Sequence, residues 1–240
     1  MANKSVSSKV LYILLSLGAV LFVAHILLQY LNIVVHYQQV GGIYELSNRF
    51  DFDDESSVPT WFSQALFLSL ALTAFLATYL QTQKSKKFAW SVVSLVGLIF
   101  SIDEVAALHE FALQQIHVQF FQDSSATGSD NAWLLVAPFL IAGFVWLLWV
   151  MLRSLPKRTV ILFMVGGIMI LAGAIFLDLA AVVGERESFI TQGLIVSAEE
   201  ILEILGGIIL VYATVDYLER YHKKAITKSF EALKDGKLQE

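Results

Sequence analysis

The chain has 240 residues, 57% of them hydrophobic and only 15% charged, against roughly 25% charged residues in a soluble domain. It contains no cysteine, which excludes disulfide frameworks, thiolate metal sites, Fe–S clusters and cysteine nucleophiles, so any metal must take oxygen and imidazole ligands. The net charge of -5 argues against a nucleic-acid partner.

The apolar residues come in unbroken blocks rather than in the stripes of a soluble amphipathic helix. Six blocks reach the ~20 helical residues that a hydrocarbon core of about 30 Å requires. The predicted fold class is therefore all-α: a polytopic membrane protein with six transmembrane helices. The spans cover about 10–35, 61–82, 88–116, 132–152, 159–183 and 189–217. Residues 1–220 make one six-helix transmembrane domain and 221–240 a cytoplasmic tail.

Span one follows Lys4 and Lys9 but runs well beyond the roughly 7 to 15 apolar residues of a signal peptide, and no small-residue cleavage site follows it. It reads as a retained anchor that leads into His25, Gln29 and Asn32. The next segment, from His36 to Thr60, carries Glu45, Asp51, Asp53, Asp54 and Glu55. It lacks the glycine and the distal glutamate of an EF-hand loop and reads as a solvated acidic loop. The stretch SSVPTW then marks a helix start with proline in the first turn. Short basic turns at Lys84, Lys86 and Lys87 and at Arg153, Lys157 and Arg158 make spans two and three, and spans four and five, antiparallel neighbours. The loop after span three holds DSSATGSD, and a Lys-rich tail follows Arg220.

Lys and Arg are retained on the cytoplasmic side of a membrane. Six spans with both termini cytoplasmic leave only Arg49 and Arg186 outside among the 16 basic residues. The corresponding localisation is the plasma (inner) membrane, with the lipid bilayer as the first partner.

In this orientation most acidic residues fall in or above the outer half. Those inside apolar blocks are Asp103, Glu104 and Glu110, with His109, in span three, Asp178 in span five, and Glu199, Glu200 and Glu203 in span six. A charge at that depth costs at least a few kcal/mol, so each must face protein or a water cavity. At ~100° per residue, positions seven apart share a helix face. Asp103, Glu110 and His117 then form one line, Asp178 and Glu185 a second, and Gln192, Glu199 and Glu203 a third that continues to Gly206. These lines converge if spans three, five and six are mutual neighbours. The cytoplasmic half of the same helices is nearly free of ionisable groups, which points to a one-sided site.

So many carboxylates in low dielectric must share protons or bind cations. The leading expectation is an outward-facing site for one or more divalent metal ions, held by Asp103, Glu110, His117, Asp178, Glu185, Glu199 and Glu203, with His36 and His109 as further nitrogen ligands. Oxygen and imidazole ligands suit Mn, Fe or Zn, with Ca or Mg following if the histidines are spectators. Neither the Glu-x-x-His pairs of ferritin-like di-iron helices nor an HExxH motif is present. The chemistry this suggests is metal-activated water acting on a lipid or lipid-like substrate from the outer leaflet. Two other classes stay open, a proton- or cation-coupled transporter using the same acids and a non-catalytic membrane partner protein. His25 reads as a hydrogen-bonded packing residue, and the serines of the spans have no His or Asp partner at a recognisable spacing, so a serine hydrolase is not expected. Oligomeric state is left open.

Overall fold

A computed structural model describes residues 5–36, 41–52, 54, 56–121, 133–177 and 189–234. Its elements, in chain order, are α1 (Val6–His36), α2 (Gly41–Arg49), α3 (Val58–Tyr79), α4 (Lys84–Ala106), α5 (Leu108–Phe121), α6 (Trp133–Ser154), α7 (Lys157–Leu171), a π-helical turn (Ala172–Leu177) and α8 (Phe189–Lys234). No strand occurs among the described residues. Six helices among them are long and apolar enough to cross a membrane: α1, α3, α4, α6, α7 with its π-helical turn, and α8.

Three features depart from the expected spans. Span three is not one helix: α4 ends at Ala106, Ala107 adopts a left-handed conformation, and α5 restarts at Leu108. The acidic segment after span one holds a short helix, α2, and then turns toward the bundle, burying Phe52. The last helix runs without interruption through the expected tail boundary to Lys234. Its 46 residues give a length of about 69 Å, more than twice a hydrocarbon core.

Local chemistry explains the helix ends. Ser57 caps α3 by accepting the Thr60 N–H at 3.2 Å, and Pro59 sits in the first turn, where its missing N–H costs nothing. The turn between α3 and α4 is short, and the two helices pack more extensively than any other pair. Gly97 makes this possible, since a Cβ there would lie 3.1 Å from the Ala71 backbone nitrogen. Ser94 Oγ adds a hydrogen bond to the Ala71 carbonyl at 2.9 Å.

Helix α8 is the axis of the bundle, packing against α7, α3 and α1. Each contact uses a different face. Gly206 crosses Gly166 of α7 so closely that a Cβ at 206 would lie 2.6 Å from the Gly166 carbonyl oxygen. Gly207 faces Leu66 of α3, while Ile204 and Ile208 lie over Gly18 of α1. Small residues at such crossings let whole backbones approach, which is how apolar helices gain packing where lipid is as greasy as the partner.

The basic end of the bundle is closed by aromatic packing. The ring of Trp90, on α4, lies 5.9 Å from that of Phe163 on α7 and 4.7 Å from that of Tyr217 on α8. Around it, buried Asp216 accepts from Arg158 Nε at 3.0 Å and from Arg220 Nε at 2.8 Å. Glu219 accepts from the Val6 and Ser7 backbone N–H groups, both at 2.9 Å, and from the Ser7 hydroxyl at 2.7 Å. A carboxylate from the last helix thereby caps the first, satisfying N–H groups that a helix start leaves open.

Replacing Gly206 by Ala should destabilise the bundle by roughly 1 to 3 kcal/mol through overpacking. Gly143→Ala on α6, where nothing lies within 4 Å of the added carbon, should be neutral or slightly stabilising. Thermal unfolding in one detergent compares the two, and equal melting temperatures would contradict the close crossing.

Candidate functional site

The helix break at Ala107 organises the first cluster. Ala107 has φ 45° and ψ 40°, and among the described residues it is the only non-glycine with positive φ. Its N–H still bonds the Asp103 carbonyl at 2.8 Å, but the helix cannot continue through it. Restarting at Leu108 leaves new N–H groups without partners. Asp103 answers one of them: Oδ1 accepts the His109 backbone N–H at 2.9 Å and Oδ2 accepts from His109 Nδ1 at 2.8 Å. With Nδ1 protonated, Nε2 carries the lone pair of a neutral ring. The imidazole is about half exposed.

This changes the expected line of Asp103, Glu110 and His117, whose spacing assumed one continuous helix. The α4–α5 break removes that phase relation, and Asp103 engages His109, six residues on, rather than standing free as a ligand. Glu110 and His117 lie on α5 and His36 ends α1, but their side chains fall outside the described part. So do Asp178 and Glu185 altogether.

A second cluster lies where α8 meets the π-helical turn. A Cβ on Gly173 would sit 2.8 Å from the Glu199 carbonyl oxygen and 3.0 Å from Glu203 Cγ. Glu199, Glu203 and Gly206 thus occupy the face of α8 that meets α7 and the π-helical turn. π-helical turns widen a helix locally and recur at functional sites. Among the described residues the three-way adjacency that the lines required is not formed as a whole. Helix α7 pairs with α8 along its own length, whereas α4 packs mainly on α3 and then on α6, meeting α7 and α8 through Trp90 at the opposite end. Among the described residues no three His, Asp or Glu side chains gather as a metal site would need.

A third cluster was only partly visible in the sequence. Span one puts His25 and Gln29 one turn apart on a face that the inward-turning segment covers. His25 Nε2 lies 3.1 Å from Ser197 Oγ on α8, and Nδ1 lies 3.1 Å from the Phe50 carbonyl oxygen and 3.7 Å from Asp51 Oδ1. Gln29 Nε2 donates to Asp51 Oδ2 at 2.8 Å. The Phe52 ring covers the imidazole at 4.7 Å. His25 and Ser197 are both buried. The acidic segment is therefore not simply solvated: Asp51 is tied to span one, and Asp54 accepts the Ser56 N–H at 2.7 Å and, through its carbonyl, the Thr60 hydroxyl at 2.9 Å. Asp53 and Glu55 lie outside the described residues. The sequence signal for this cluster was the run of polar residues His25, Gln29 and Asn32 on one span; the serine, 172 positions away from His25, carried none.

The profile of a family described as a domain of unknown function, DUF8692, matches residues 10–218, and the chain belongs to that family. The match takes in all six apolar helices and stops where the basic extension of α8 begins. No curated protein and no solved structure matches the chain.

Replacing Ala107 by Gly tests the helix break by its sign. In a continuous helix Gly costs about 1 kcal/mol relative to Ala, whereas at a left-handed position it relieves roughly 1 kcal/mol. The expected result is a raised melting temperature in detergent, and a lowered one would restore the unbroken span.

Proposed function

We propose that this DUF8692 protein is a multi-pass protein of the plasma (inner) membrane, with both termini cytoplasmic, whose outer half binds a divalent metal ion and uses it on a lipid or lipid-like substrate from the outer leaflet. The observation that carries the reading is the Asp103–His109 pair. Metal-ligating histidines commonly donate their second ring nitrogen to a carboxylate, which fixes the tautomer and raises ligand basicity. Asp103 holds His109 in that way, with Nε2 as the available donor. In this reading Asp103 orients the ligand instead of being one.

The remaining ligands would come from acids singled out in the sequence: Glu110, one residue after His109, with Glu199 and Glu203 of α8 and Asp178 as further donors. An imidazole among carboxylates favours Zn, Mn or Fe over Ca or Mg. Bound there, such an ion would supply an activated water at neutral pH. The packed aromatic floor of Trp90, Phe163 and Tyr217 supports a site reached from one side over a transport path. The 14 basic residues assigned to the cytoplasm against two outside support the orientation.

Metal analysis of protein purified without chelators should find about one equivalent or more of a transition metal, falling at least about tenfold in affinity on Asp103→Ala and further on His109→Ala. Content far below stoichiometric in the wild type, unaffected by either change, would refute metal binding. The absence of native cysteine makes topology directly measurable. Ser56→Cys should react with an impermeant maleimide on intact cells, and Ser5→Cys only after lysis; the reverse pattern would invert the orientation.

A further inference from the structure

The serine on the third cluster is arranged for chemistry of its own. Both groups facing His25 Nδ1, the Phe50 carbonyl oxygen at 3.1 Å and the Asp51 carboxylate at 3.7 Å, can only accept hydrogen bonds or attract a proton. A ring with one proton therefore carries it on Nδ1. Nε2 then presents its lone pair to Ser197 Oγ at 3.1 Å, and the serine hydroxyl donates. This is the tautomer and the contact by which an imidazole removes a hydroxyl proton as the oxygen attacks a carbonyl carbon. Such arrangements are identified by geometry and role, whatever the order of the residues in the chain. Here the parts come from three segments: α1, the turn after α2, and α8.

The surroundings fit these roles. The Phe50 carbonyl orients the imidazole. The Asp51 carboxylate, steadied by Gln29 Nε2 at 2.8 Å, lies where it would stabilise the imidazolium formed during attack. Phe52, with Phe22 behind it, seals the ring on one side and lowers the local dielectric, which strengthens both effects.

We propose that Ser197 is a nucleophile and His25 its general base, in a reaction that transfers the acyl group of a lipid carboxylic ester. The ester assignment follows from depth. His25 lies 15 residues above residue 10, where span one begins, about 22 Å along the helix, in the outer half of a ~30 Å core, the half bounded by the outer-leaflet glycerolipid ester carbonyls. The substrate assignment rests on the outer-leaflet reading above, but the nucleophile does not require the metal. In the first step Ser197 Oγ bonds to the ester carbonyl carbon while its proton passes to His25 Nε2. The alkoxy oxygen then leaves, taking that proton, and the acyl group remains on Ser197. Water attacks the acyl-serine and gives a proton to Nε2. The carbon–Oγ bond breaks, releasing the carboxylic acid, and Oγ recovers the proton. Ser197 and His25 are catalytic residues here, and Asp51 is a positioning residue.

The test uses the full chain in detergent and in vesicles of dioleoyl phosphatidylglycerol, with a fluorophosphonate as the serine-directed probe. One adduct per chain, mapped to Ser197, is expected in the wild type and none at that position in Ser197→Ala. His25→Gln should slow labelling at least about 100-fold. Asp51→Asn should lower the maximal labelling rate without changing the probe concentration giving half that rate, a split that simple loss of folding would not produce. Size-exclusion and melting profiles establish that each variant is folded, and if His25→Gln is not, the Ser197→Ala comparison decides. No adduct on folded wild type, an adduct at another residue, or undiminished labelling in folded His25→Gln would overturn the nucleophile. In vesicles, wild type should release oleate and Ser197→Ala should not; labelling without release would overturn the lipid ester. Labelling of wild type that was purified without chelators and holds far less than one equivalent of metal would sink the metal reading alone, whereas stoichiometric metal with no adduct would sink this one alone.

Discussion

Helix α8 must be approached by three other helices at once, and this crowding is the constraint on which the rest of the structure depends. An apolar helix gains little by hiding from lipid, so its association relies on contact between backbones and on polar groups that find partners. Helix α8 meets the first demand with small residues placed by face: Gly206 on Gly166 of α7, and Gly207 beneath Leu66 of α3. Bulk at Gly206 would push α7 away and open the bundle. The same helix supplies polar partners above and below this waist, Ser197 toward α1 and Asp216 toward Arg158.

The two ends of the bundle use their polar groups differently. At the basic end, carboxylates are matched to guanidinium groups or to the open N–H groups of a helix start, and aromatic rings fill the space between. These are closing interactions: they secure α1 and α7 to the lower part of α8. Toward the other end, polar side chains meet histidines, and each of the two histidines described there is held in a defined tautomer by an acceptor on Nδ1. Such fixed lone pairs are useful for ligation or proton transfer, which is why both functional readings start from them. Ala107 belongs to the same economy of form. Its left-handed conformation is unfavourable for a residue with a Cβ, yet it brings His109 back onto Asp103, six residues earlier.

The six apolar helices were legible because block length and hydrophobicity need no knowledge of neighbours. The capped start of α3 was legible for the same reason: Ser57 and Pro59 act within one turn. The place of Glu199 and Glu203 on a common face with Gly206 was readable from period alone, and the structure lays that face on α7. The line through Asp103, Glu110 and His117 was not readable in this way, since it presumed regular rise across 106–108. No glycine or proline marks that break, and a hydrogen bond formed across it helps to hold it. Asp51 was read as a solvated charge because its sequence neighbours are acidic, whereas Gln29, far away in sequence, binds it.

What the sequence determined by itself is the set of properties that act locally along the chain: which segments are apolar enough to cross a membrane, where basic residues cluster, and which side chains repeat on one helical face. Only the tertiary structure decided which faces meet. It closed α7 and α3 on α8, and delivered Ser197 to His25. The reason is physical: helix pairing depends on the fit of two surfaces and on polar partners supplied from distant segments. Periodicity orients a face but says nothing about what will stand opposite it.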